Sequence, residues 1–121
     1  MRFKEKKAIY LQIADYVQEN ILAGQFPADQ RMPSVRDLAV SVQVNPNTVT
    51  RTYNYLQENG IIYTKRGVGY FVAKDGYEKT LALKRKVFLQ ETLPEVFKMM
   101  KLLKIDFSEF EEQYHETMKS E

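Results

Sequence analysis

Cysteine is absent from the 121-residue chain. That excludes disulfides, thiolate zinc sites and thiol catalysis, and it fits a reducing cytoplasm. There is no run of about 18 apolar residues, so no membrane span and no membrane partner are expected. The start, Met1 to Lys7, is basic, but no apolar stretch follows it, so a secretion signal is not expected. Histidine occurs once, as His115, at helical spacing from Glu111 and Glu112. That spacing suits a metal, but carboxylates on an exposed helix are ordinarily just solvated, and no metal ligand is read here. No nucleophile–base pair, phosphate loop or metal triad stands out, so no catalytic residue, no cofactor and no enzymatic activity are expected. Internal repeats and low-complexity segments are missing too.

What is present points to one ordinary domain or a small domain with an appendage. The apolar share of 44% suffices for a core, and eight Tyr with seven Phe argue against disorder. Net charge is only +2 and is unevenly spread. Residues 1–76 carry ten Lys/Arg against seven Asp/Glu, whereas residues 77–121 carry eight against nine. A polyanion would therefore meet the front half.

Residues 9–23 place Ile9, Ile13, Val17 and Ile21 at helical spacing, beside Tyr10 and Ala14, with Gly24 as a stop. A loop punctuated by Pro27 and Pro33 follows. Ser34 is an N-cap with Asp37 three residues on, opening a short helix over Val35 to Val42. Gln43-Val44 reads as a tight turn. Asn45 is a second N-cap, and Pro46 falls at the first helical position, where its missing N–H costs nothing. Val49, Tyr53 and Leu56, with Thr52 beside them, form the buried stripe of this third helix, which Asn59-Gly60 ends. Tyr53, Tyr55 and Tyr63 read as core or edge packing.

Ile61–Thr64 and Tyr70–Ala73 read as two strands around a basic, glycine-containing turn, Lys65 to Gly69. Lys74-Asp75-Gly76 reads as a hinge. Beyond it the pattern is helical again. Pro94 either kinks one long helix or starts a new one capped by Leu93 or Thr92. Asp106 and Glu109 make a capping box for a last helix, about Phe107 to Met118.

The expected fold class is mostly α with a small β-hairpin. It comprises a winged helix-turn-helix DNA-binding domain over 1–76 and a short helical C-terminal dimerisation tail over 77–121. In that architecture the second helix of the pair enters the major groove and the hairpin tip lies beside it. Only the first two turns of the third helix reach base edges, and they are rich in Asn, Thr and Arg. Arg51 suits a guanine edge, while Asn47 suits an adenine edge or a phosphate. Arg36 opposes the helix dipole in the first turn of its helix, which is unfavourable unless an anion is near. Lys65 and Arg66, with Gly67 and Gly69, make a positive and sterically bare tip.

The run MPSVRDLAVSVQVNPNTVTRTYNYLQENGIIYTKRGVGYFV, preceded by IYLQIADYVQENILAGQF, resembles the DNA-binding domain of the GntR family of bacterial repressors. The likeness covers about residues 8–73. It rests on the Pro-Ser-x-Arg-x-Leu-Ala run, the Val-Asn-Pro-Asn-Thr-Val turn and the Gly-x-Gly-x-Phe-Val wing. Met32, Val42 and Tyr70 depart from the usual pattern. By position, the resemblance implies DNA contacts from Arg36, Asn45, Asn47, Thr48, Thr50, Arg51, Arg66, Gly67 and Gly69. Some members carry Arg where Thr50 stands, so base readout there must differ.

Only about 45 residues follow the wing, which resembles the short-tailed YtrA-type branch, whose compact helical tails are associated with dimerisation. Leu81, Phe88, Leu93, Phe97, Met100, Leu103, Phe107, Phe110 and Tyr114 are the apolar positions expected to meet a second copy. Helices of this length enclose no sizeable ligand alone, so a small-molecule effector is allowed but not implied. The expectation is a cytoplasmic, nucleoid-associated homodimer on a pseudo-palindromic double-stranded DNA operator, acting as a repressor. The competing reading is a winged-helix adaptor that binds protein and no specific DNA.

Overall fold

The computed structural model describes residues 7–120. The basic start, apart from Lys7, lies outside the described residues. Elements follow in the order α1 (Ile9–Leu22), α2 (Val35–Val42), α3 (Pro46–Glu58), β1 (Ile62–Lys65), β2 (Gly69–Val72), α4 (Gly76–Val87), a π-helical turn (Phe88–Thr92), α5 (Leu93–Leu103) and α6 (Phe107–Lys119). The chain falls into two compact units, 1–83 and 84–121, with the division inside α4.

In the first unit the core is built from one stripe of each helix. Ile13, Ala14, Val17 and Ile21 of α1 join Leu38 and Ala39 of α2 and Val49, Tyr53 and Leu56 of α3, and Met32, Ile61, Ile62 and Val72 close it. Ile9, expected on the buried face of α1, is instead 54% exposed, because it sits at the open N-terminal end of the helix. The Tyr53 hydroxyl donates to the Pro33 carbonyl at 2.7 Å, tying α3 to the loop that leads into α2. Tyr70 places its ring edge-on to Tyr53, centroids 4.7 Å apart.

The caps read from sequence set the ends of α2 and α3. Asp37 N–H donates to Ser34 Oγ, and Asn47 N–H donates to Asn45 Oδ1 at 2.7 Å. Between them Gln43 takes a left-handed conformation (φ 59°), and Val44 N–H reaches back to the Ala39 carbonyl. This six-to-one bond ends α2 and turns the chain into α3 within three residues.

The hairpin is antiparallel, with Ile62 opposite Val72 and Lys65 opposite Gly69. Its first strand starts one residue later than the sequence suggested. Ile61 N–H is already committed to the Leu56 carbonyl at the end of α3. Gly67 (φ 77°) supplies the positive φ that the turn closed by Val68 N–H and the Lys65 carbonyl requires. A third edge was not foreseen: Arg31 bridges Phe71, Met32 N–H donates to the Tyr70 carbonyl, and Val72 N–H donates to the Gln30 carbonyl. At the base, Gly76 is buried, and a Cβ there would stand 2.8 Å from the Ile61 carbonyl oxygen.

In the second unit the helix does not start afresh before Pro94. Thr92 has helical dihedrals and makes no side-chain cap. Leu93 N–H bonds the Phe88 carbonyl across a widened π turn, which accommodates a proline that has no N–H to give. Asp106 and Glu109 form the expected capping box of α6. Phe110 meets Phe97 at 6.1 Å and Phe107 at 6.2 Å between ring centroids. His115 Nε2 lies 3.7 Å from Glu111, one turn away. No group of three or more metal-ligating side chains occurs among the described residues.

Candidate nucleic-acid interface

The buried stripe of α3 fixes what its other faces show. With Val49, Thr52, Tyr53 and Leu56 inside, Asn47, Thr50 and Arg51 are exposed along the leading half of the helix, and Asn54 beyond it. Asn45 is also exposed, but its side-chain oxygen is occupied as the cap, which leaves its amide to donate outward. Thr48 is half-buried; its carbonyl accepts from Thr52 Oγ1 at 3.1 Å. The same hydroxyl lies 2.8 Å from the Tyr10 carbonyl, joining the first turn of α1 to α3.

Asn47, Thr48 and Arg51 share one open concavity with Ala8, Ile9 and Tyr10, of about 330 Å³. Arg51 is not loose there. Its guanidinium carbon sits 4.0 Å from the centre of the Tyr10 ring, and that ring meets Tyr55 edge-on at 6.3 Å. The remaining cations are on other elements: Arg36 on the first turn of α2, Lys65 and Arg66 at the wing tip, all exposed. Lys65 Nζ lies 4.7 Å from the centre of the Phe71 ring. Thr64 Oγ1 bonds Gln57 Oε1 at 2.6 Å and so ties β1 to the rear half of α3.

Two residues of this surface escaped the sequence reading. Arg31 lies on the third edge of the wing, and its Nε would stand 3.0 Å from a Cβ built on Gly69 (φ 147°), so the absent side chain there leaves the arginine its place. Tyr10 supports Arg51 from 41 residues away. No local pattern announces either one. The only trace in the sequence is an aromatic, Tyr10, at the open end of α1.

In the first unit the cations divide into two sets. Lys7, Lys74 and Lys79 pair with Asp15, Asp29 and Asp75. Among the described residues Arg31, Arg36, Arg51, Lys65 and Arg66 have no carboxylate partner. Arg51 with short amides and hydroxyls at the leading end of a capped helix, and further unpaired cations on α2 and on a glycine-tipped hairpin, are chemistry suited to phosphates and base edges.

Fold and surface together define a winged helix-turn-helix transcriptional regulator with a DNA-binding domain. The chain belongs to the gntR family of bacterial regulatory proteins, whose family model matches residues 9–72. It is 39% identical over 102 residues to the HTH-type transcriptional regulator YhcF of Bacillus subtilis, covering 84% of this chain and 83% of that protein. It is 35% identical over 88 residues to the HTH-type transcriptional repressor YtrA of the same organism, covering 73% and 67%. A GntR family transcriptional regulator from Listeria monocytogenes superposes with a TM-score of 0.78 at 32% identity, over 94% of this chain and 98% of that one. The short-tailed YtrA-type likeness read from the sequence therefore holds.

Proposed function

We propose that the protein is a homodimeric repressor that reads a pseudo-palindromic operator with α3 and steadies itself with the wing. The observation that carries this is the polar leading end of α3, where Asn47, Thr50 and Arg51 are exposed and no acidic side chain among the described residues pairs with them. Arg51, Asn47 and Thr50 take the base edges. Asn45, Thr48 and Arg36 hold phosphates, as do Lys65 and Arg66, with Gly67 and Gly69 letting the wing backbone approach closely. Residues 1–76 form the DNA-binding part and residues 77–121 the dimerising part. The repressor name of the YtrA relative supports the sign of regulation. A DNA target puts the working protein in the bacterial cytoplasm, on the nucleoid when bound.

The dimer is supported by the tail. No residue of α5 or α6 is buried, and Leu102, Phe107 and Leu103 are 76%, 68% and 61% exposed. Leu81, Phe88, Phe97 and Tyr114 are exposed too, and Leu93, Met100 and Phe110 half-buried. Apolar surface on this scale is covered most simply by a second copy. Two recognition helices would then lie about 34–36 Å apart.

The test is selection from a random duplex pool, followed by anisotropy titration of the enriched site. An inverted repeat is expected, with affinity falling steeply as salt rises. Arg66→Ala should weaken all sequences about equally and lower the salt slope by about 1. Recovery of no enriched sequence would instead favour an adaptor that binds protein.

A further inference from the structure

The Tyr10 side chain occupies an unusual place. It belongs to α1, outside the helix-turn-helix pair, yet it lines the concavity at the leading end of α3. Its backbone is held by Thr52 Oγ1 at 2.8 Å, and its ring is held edge-on by Tyr55 at 6.3 Å. The ring's face is covered by the Arg51 guanidinium, 4.0 Å from the centroid.

An exposed arginine ordinarily samples many rotamers, and ordering it on a base edge costs conformational entropy. A guanidinium resting on an aromatic ring has already lost part of that freedom. Its five N–H donors lie in its own plane, so a contact through the face leaves the donor edge free. A leucine would keep an apolar contact with Tyr55, though a smaller one, but would offer no negative π face to the cation.

From this geometry we infer that Tyr10 is a positioning residue for base selection: it orders Arg51 on α3 so that the guanidinium meets a base edge rather than the nearest phosphate. The inference rests on the proposed role of Arg51 as a base-contacting residue, and it assigns part of operator specificity to α1. Phosphates surround every groove, so an arginine released from the ring still finds an anion. Losing Tyr10 therefore costs discrimination more than affinity.

The experiment is a double-mutant cycle on the full chain. Binding is measured to the selected duplex, to the same duplex with the Arg51-contacted base pair exchanged, and to an unrelated duplex. Tyr10→Leu should reduce discrimination about threefold to tenfold while affinity for the unrelated duplex changes less than about twofold. Tyr10→Phe should restore discrimination, because it keeps the π face. In an Arg51→Ala background Tyr10→Leu should have no further effect. A thermal melt of each variant accompanies the titrations, and Tyr10→Met carries the same test if the leucine variant melts early. A uniform loss on all three duplexes overturns the inference, as does unchanged discrimination in Tyr10→Leu while Arg51→Ala abolishes it. If Arg51→Ala itself leaves discrimination intact, the base-reading role of α3 falls, and the inference with it.

Discussion

Tyr53 is the residue on which the placement of α3 turns, and Tyr53→Phe isolates its hydroxyl. The side chain is fully buried, and the hydroxyl donates to the Pro33 carbonyl at 2.7 Å. Removing one such bond and leaving its partner short of a donor costs about 1–2 kcal/mol. For a unit of this size that lowers Tm by roughly 4–16 °C. The same substitution has a second signature, in pH. Burial, assisted by Tyr70, pushes the Tyr53 phenol well above the ordinary tyrosine value of 10.0. A group whose folded pKa is raised contributes stability that is complete below the unfolded pKa and is lost as pH rises toward the folded one. Above about pH 10 the unfolded chain releases this proton while the folded chain keeps it, so wild-type stability falls. At about pH 11 the loss from this one residue is on the order of 1 kcal/mol relative to pH 8. Phenylalanine has no proton to release. Urea unfolding of both proteins across that range should therefore show Tyr53→Phe clearly weaker at pH 8 and the two nearly equal at pH 11. A gap that stays constant with pH would refute the buried, un-ionised phenol. No gap at pH 8 would refute the hydrogen bond.

Other variants test the packing around the interface. Gly76→Ala should lose about 1–3 kcal/mol in urea unfolding, because the new methyl meets the Ile61 carbonyl at 2.8 Å and Val72 Cγ1 at 3.0 Å. Thr80→Val should gain about 1–3 kcal/mol, since Thr80 Oγ1 is buried with no hydrogen-bond partner among the described residues and valine has nearly the same shape. Phe107→Asp, placed on the exposed apolar face of α6, should shift sedimentation toward monomer while leaving the far-ultraviolet helix signal in place. Retention of the dimer would remove the tail from the interface.

Much of this molecule was legible because its signals are local. Ser34 and the pair Asn45-Pro46 are caps whose partners lie within three residues, and the observed starts of α2 and α3 follow from them. The same holds for Asp106 with Glu109 at α6. The wing was readable from β-branched residues and the glycines around Lys65 and Arg66. What escaped is nonlocal. The third wing edge pairs Arg31 with Phe71, and the support of Arg51 comes from Tyr10; neither partner is adjacent in sequence. Ile9 fits the helical stripe by spacing, but spacing does not say where the neighbouring elements stop covering it. Pro94 was ambiguous because a proline reads as a break, whereas a π turn lets the helix pass it.

The central claim is that the leading end of α3 faces a duplex. The most direct measurement is a heteronuclear NMR titration with the selected operator, following the Arg51 Nε–H signal, the Asn47 side-chain amide and the backbone amides from Asn47 to Arg51. Those signals should move together with the amides of Arg66 to Gly69, and with an unrelated duplex the Arg51 Nε–H shift should be absent or much smaller. Signals that stay still at α3 while shifts gather on another surface would contradict the account.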